Sequence, residues 1–214
     1  MAQSPSRPLR ILAIGSSSTL GIGASSPSHS YPAQLAADLG AKWGIATEVR
    51  NAGVGGEVVS VTEARLGVEL RDYQPDLVLW QVGTNDAVSG VDLKDFRAEV
   101  EAGVAIARAR NVPIILVDPQ FFPGINNATR FDAFVAAVGD VGAKAHVPVF
   151  SRFVMMKAWA AQSADILRAS LSSDGFHMGD KGYACFADAL AQDIARQRAG
   201  KSASVNGIPP GAKL

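Results

Sequence analysis

The sequence carries almost no sulfur chemistry, no dominant sign of charge and no long apolar run, and each lack excludes something. Cys185 is the only cysteine, so an internal disulfide and a thiolate cluster for a metal are both ruled out. It sits in an amphipathic stretch near the C-terminal end, where a small packed thiol is the expected role. Lys and Arg together number 20, as do Asp and Glu. With no block of like charge, nothing points to nucleic acid or an anionic membrane surface as a partner. Apolar runs such as Leu77 to Trp80 and Ile114 to Val117 fall far short of the ~20 residues that cross a bilayer as a helix. The first ten residues are polar, are broken by Pro5 and Pro8, and show no signal-peptide pattern.

What is present is ample apolar material, 48% of residues against 19% charged, enough for one sizeable core. Short β-type runs alternate with longer helical patterns, the mark of a parallel sheet covered on both faces. The expected strands are Leu9–Ile14, Thr47–Arg50, Asp76–Val82, Val112–Val117 and Val147–Phe150. The third and fourth are nearly continuous in Leu, Val and Ile, as central strands buried on both faces should be. Helical stripes run through Tyr31, Leu35 and Leu39; Leu93, Phe96, Val100 and Ala107; Phe131, Phe134, Val135 and Val138; and Tyr183, Phe186, Ala187, Leu190 and Ile194. The organisation expected is an extension over 1–8, one domain over 9–199, and a flexible tail over 200–214, which is rich in Gly, Pro, Ser and Ala. The fold class is α/β: a three-layer α/β/α sandwich, flavodoxin-like, on a five-stranded parallel sheet. In such sheets ligands bind beyond the carboxyl ends of the strands, so the strand-to-helix loops are where chemistry belongs.

Three of those loops have polar or glycine-rich sequences. After the first strand comes Gly15-Ser16-Ser17-Ser18-Thr19-Leu20-Gly21, which has neither the Lys of a phosphate-binding loop nor the spacing of a dinucleotide site. It fits either a serine-rich turn capping a helix or a turn exposing one serine as a nucleophile. After the second comes Asn51-Ala52-Gly53-Val54-Gly55-Gly56-Glu57, where glycines let a substrate approach the backbone. A helix is expected to begin near Glu57, which would turn the Gly56 N–H toward developing negative charge. After the third comes Gly83-Thr84-Asn85-Asp86, which offers the Asn85 amide as a donor, although Asn and Asp are also ordinary turn residues.

The strongest local signal is Asp174-Gly175-Phe176-His177. A spacing of three within one turn lets the carboxylate accept from the imidazole, fixing its tautomer and stabilising the imidazolium, as a general base beside a serine requires. His29 and His146 have no carboxylate at that spacing.

Taken together and in order, these blocks resemble the SGNH hydrolases, also known as GDSL-type esterases, over most of the chain from Gly15 to Tyr183. The resemblance implies Ser17 as nucleophile, Asp174 and His177 as acid and base, and the Ser17 N–H, Gly56 N–H and Asn85 amide as oxyanion donors. It departs at one point: the family's Gly-Asp-Ser reads Gly15-Ser16-Ser17 here. That leaves Ser16, Ser17 and Ser18 as candidates, among which the spacing to Thr19 and Gly21 favours Ser17. The implied reaction is hydrolysis of a small-molecule carboxylic ester, of short acyl or acetyl type and including acetylated carbohydrate, with no metal and no organic cofactor. Gln120 and Phe121, after the fourth strand, are expected to line the substrate site. Arg152, Met155, Met156 and Trp159 are placed either on the opposite wall or in the core. Two rivals remain: an acyltransferase using the same serine, and a non-catalytic carbohydrate-binding module, which would have no need of the Asp174–His177 pair.

Overall fold

A computed structural model describes residues 7–200, with one five-stranded sheet among them in the order β2-β1-β3-β4-β5 and every pairing parallel. The strands are β1 (Leu9–Gly15), β2 (Thr47–Gly53), β3 (Leu77–Gln81), β4 (Ile114–Val117) and β5 (Val149–Phe150). The helices are α1 (Ser17–Leu20), α2 (Tyr31–Trp43), α3 (Val59–Tyr73), α4 (Thr84–Ser89), α5 (Leu93–Ala109), α6 (Ala128–Ala145), α7 (Arg152–Gln162), α8 (Ala164–Ser170) and α9 (Asp180–Gly200). The expected α/β sandwich is therefore what forms. The extension over 1–8 falls mostly outside the described residues, and so does the tail over 200–214 beyond Gly200.

Side-chain alternation sorts the sheet into two apolar layers. Leu12, Ile14, Val78, Trp80, Ile114 and Leu116 face α3, α5 and α6, meeting Leu66, Phe96, Val100, Phe134 and Val138. Their neighbours Ile11, Ala13, Leu79, Ile115 and Val117 face α2 and α9, meeting Leu35, Leu39, Phe186, Leu190 and Ile194. The helical stripes read from the sequence are the faces these helices bury. Asp92 caps α5 by accepting from the N–H groups of Lys94 and Asp95, and Asn127 caps α6 by accepting from Arg130 N–H, which satisfies donors that a helix start leaves unpaired.

All five strands differ from the sequence reading at one end or both: β1 gains Gly15, β3 lacks Asp76 and Val82, β4 starts two residues later at Ile114, and β2 and β5 change for identifiable reasons. Strand β2 continues three residues past Arg50, because Asn51, Ala52 and Gly53 stay in register with Ala13, Ile14 and Gly15. Gly53 tolerates this pairing because a Cβ there would overlap the backbone of Thr19 and Leu20. Strand β5 is confined to Val149 and Phe150, since Pro148 has no N–H for the ladder and contributes only its carbonyl, to Leu116 N–H. Arg152, Met156 and Trp159 are buried, Met156 and Trp159 in the α2/α9 layer, so core packing claims them.

Sequence order reverses at β1: the β1–β2 connection leaves in one direction and β3 returns on the other side. The loops after β1 and β3 therefore flank a topological switch point, with the loop before α9 beside them.

Candidate active site

The loop after β1 is a tight turn built by its three serines facing different ways. Ser16 is buried, and both its N–H and its hydroxyl reach Gln81 Oε1 at 3.2 Å. Ser18 is also buried, its hydroxyl donating to Gln120 Oε1 at 2.9 Å. Ser17 lies partly exposed between them, with Oγ 2.9 Å from His177 Nε2. Ser17 is also the first residue of α1, so its own N–H has no acceptor within the helix. Thr19 completes the turn's footing with a 3.2 Å bond to the buried Tyr31 hydroxyl, and burial pushes the Tyr31 phenol up to about 12.

The imidazole stands on a loop closed by its own short ladder. Leu171 and Met178 form an antiparallel bridge, Ser172 N–H donates to His177 O at 2.8 Å, and Gly179 N–H to Ser170 O at 3.0 Å. Inside that loop Asp174 Oδ1 accepts from Ser172 Oγ (2.7 Å) and from the N–H groups of Phe176 and His177 (each 2.9 Å). Asp174 Oδ2 lies 2.6 Å from His177 Nδ1. Partial burial alone would raise the Asp174 pKa, but the bonds from His177, Ser172 and the two N–H groups outweigh it and hold this carboxyl well below the usual carboxylate range. An ionised carboxylate only accepts, so Nδ1 carries the imidazole proton and Nε2 presents its lone pair to the Ser17 hydroxyl. Gly23 lets the two loops close together: its φ is +92°, and a Cβ there would run into Met178 O and the Cβ atoms of His177 and Ser172.

On the other flank, Asn85 in the first turn of α4 donates through Nδ2 to Glu57 O at 2.8 Å, leaving its second amide hydrogen free. Val59 N–H donates to Asp86 Oδ1 at 2.8 Å, a second tie between the same segments. Arg65 holds Glu57 Oε2 from Nε (3.0 Å) and Nη2 (2.6 Å), and also donates to Ala52 O at 2.6 Å. Gly56 is exposed with φ +81° and open space where a Cβ would be. Helix α3 starts at Val59, two residues beyond the expected Glu57.

The structure thus brings Ser17, His177 and Asp174 into one hydrogen-bonded line and puts Gly56 and Asn85 on adjoining loops. Phe121 is partly buried and packs edge-on against Phe153 at 5.8 Å, between cleft and core. Gln120 is fully buried, and protein groups engage its amide at both ends, Ser18 Oγ at one and Phe176 O at the other (2.7 Å). A side chain so placed presents no free polar atom to a substrate, and the expected contact from Gln120 has no geometric basis. Ser172, Gln81, Arg65 and Gly23 are site residues that the sequence reading missed. Only Ser172, two residues before Asp174, had a local signal, that of an ordinary turn. Among the described residues no group of three or more His, Cys, Asp or Glu is placed to hold a metal ion, and no helix is long and apolar enough to cross a membrane.

Several solved structures with this architecture share 18–24% identity with the chain. A lipase/acylhydrolase from Enterococcus faecalis superposes with a TM-score of 0.77 at 23% identity, over 88% of this chain and 96% of that one. The acetyl xylan esterase AlAXEase gives 0.75 at 18% identity, over 87% and 100%. The SGNH-hydrolase family esterase AlinE4 gives 0.67 at 24% identity, over 91% and 98%. No curated protein sequence matches significantly. The model of the non-GDSL lipase-like family matches residues 2–199. A family whose name drops the GDSL signature suits a chain with Ser16 where that signature has Asp; by a match spanning nearly its whole length and by its SGNH-hydrolase fold, the chain belongs to the non-GDSL lipase-like family.

Proposed function

We propose that the protein hydrolyses carboxylic esters through an acyl-enzyme on Ser17, with His177 as general base and acid and Asp174 as its orienting carboxylate. The observation that carries this reading is the continuous line from Ser17 Oγ to His177 Nε2 (2.9 Å) and from His177 Nδ1 to Asp174 Oδ2 (2.6 Å). As Oγ attacks the ester carbonyl, its proton passes to Nε2, and the imidazolium is stabilised by the ionised Asp174. The carbonyl oxygen becomes an oxyanion held by the Ser17 and Gly56 N–H groups and the free Asn85 amide hydrogen, each donor contributing about 3 kcal/mol to the transition state. Nε2 returns the proton to the departing alcohol, leaving an acyl-serine. A water then gives its proton to Nε2 as it attacks, and the acid and free serine are released.

Short acyl and acetyl esters, acetylated carbohydrate among them, are the substrate class this reading favours. Ser17 and the glycines of the oxyanion loop lie at an open rim, and one structure of the same fold is an acetyl xylan esterase. A fluorophosphonate or sulfonyl fluoride should label one residue, mapped to Ser17, and p-nitrophenyl acetate should turn over in water alone. Ser17→Ala should abolish both while unfolding near the wild-type temperature, because one partly exposed hydroxyl adds little stability. Label on Ser16 or Ser18, or none anywhere, overturns the assignment. Acylated product formed on an added sugar acceptor in preference to free acid would turn the reading to a transferase.

A further inference from the structure

We infer that Gln120 is a positioning residue that holds the nucleophile, oxyanion and histidine loops in register, an inference that rests on the esterase reading. Gln120 is fully buried behind the site and makes three bonds, each to the immediate neighbour of a proposed catalytic group. Its Oε1 accepts from Ser18 Oγ at 2.9 Å, beside Ser17. Its Nε2 donates to Phe176 O at 2.7 Å, beside His177. Its backbone N–H donates to Thr84 Oγ1 at 3.2 Å, beside Asn85. The partners lie 102, 56 and 36 residues away, so these bonds tie together segments that the chain does not.

The chemistry of the partners fixes the amide's orientation. A carbonyl can only accept, so the atom facing Phe176 O must be the NH2, and the oxygen is left for the Ser18 hydroxyl. The path Ser18–Gln120–Phe176 therefore runs parallel to the catalytic bond Ser17–His177, linking the same two loops one residue away on each side. That catalytic bond is lost during the reaction, because an acylated Ser17 has no hydroxyl proton to donate. The Gln120 path is unaffected by acylation and keeps His177 in place to activate water. Its contribution should therefore be greatest in deacylation.

The test uses the full-length protein with p-nitrophenyl acetate, following both the burst and the steady state. Gln120→Leu should lower kcat about 10- to 100-fold, the scale of a displacement near 1 Å between reacting groups. KM should fall with it, and a burst approaching one equivalent of p-nitrophenol should appear as acyl-enzyme accumulates. The downfield proton resonance of the His177–Asp174 bond should persist, since that pair belongs to one self-closed loop. Relative to wild type at the same pH, Gln120→Glu should recover as pH falls, when the protonated carboxyl can donate to Phe176 O and accept from Ser18, whereas the ratio for Gln120→Leu should not change with pH. Ser18→Ala, which cuts one end of the path, should show a smaller loss of the same kind. A Gln120→Leu protein with wild-type kcat and no new burst overturns the inference. So does a loss of turnover matched by loss of the His177–Asp174 resonance, which would mean Gln120 merely maintains the fold. Wild-type protein with no ester turnover removes the underlying esterase reading instead.

Discussion

The two halves of the site are built to opposite specifications. On the proposed proton-relay side, every polar atom of the Asp174 carboxylate is engaged, the loop carrying it is closed by its own ladder, and Gly23 packs the His177 loop onto the loop of Ser17. On the proposed oxyanion side, Gly55 and Gly56 are exposed, with open space where a Cβ would be, and the loop is tied on either side of them, by Val54 N–H to Gly15 O at 3.0 Å and where Glu57 meets Asn85 and Arg65. A relay acting as proposed has to hold one proton geometry before any substrate arrives, and a loop closed in advance suits that task. An oxyanion loop acting as proposed has to admit a carbonyl oxygen, and glycine N–H groups without protein partners suit that one.

Substitutions on the two sides should differ in size and in kind. The largest effect after loss of Ser17 belongs to Asp174→Asn. An amide there would donate to Nδ1, force the proton onto Nε2 and point it at the serine, lowering kcat by about 10⁴ in steady-state assays. The same variant tests stability. The Asp174 carboxyl titrates lower in the folded protein than in the unfolded chain, so its stabilising effect is present above the ordinary carboxylate range and is lost as pH falls below it. Thermal unfolding should show wild type ahead of Asp174→Asn near neutral pH, with the gap closing in acid. A gap that is constant with pH would mean the carboxylate's charge does not contribute to folding.

Asn85→Ala comes next. Its donor acts mainly in the transition state, so kcat should fall by about 10²–10³ with KM within a few-fold. Unchanged kcat would take Asn85 out of the oxyanion site and leave the open side with backbone donors alone. Gly56→Ala should have the smallest effect. A Cβ at φ +81° meets no neighbour, so the only cost is conformational, about 1–2 kcal/mol for an L-residue in the left-handed region. We expect about a tenfold loss of kcat and a slightly lower melting temperature. A loss as large as that of Asn85→Ala would show the oxyanion loop to be as finely set as the relay.

What the sequence made legible follows a similar division. The sheet and four of the five longest helices, α2, α5, α6 and α9, were readable because short β-type runs and period-3.6 stripes are local signals. So was the contact between Asp174 and His177, three residues apart in one turn. The extent of β2 was not, because Asn51 to Gly53 has the composition of a loop, and only the register with β1, together with the close packing of Thr19 and Leu20, makes it strand. Gln120 was placed near the site by its position after β4, but nothing local indicates which way its side chain points. Its partners lie on other loops, and the same holds for Gln81 with Ser16 and for Arg65 with Ala52. Choosing among three consecutive serines likewise needed the buried partners of Ser16 and Ser18, which only the folded chain supplies.

The separation of 160 residues between Ser17 and His177 has a consequence for the protein during its synthesis. Ser17 emerges from the ribosome just after β1, His177 only with the segment that precedes α9. On the proposed mechanism the Ser17 hydroxyl should stay inert throughout that interval, and its covalent labelling should become a reporter that the His177 loop has docked and the chain has closed on itself.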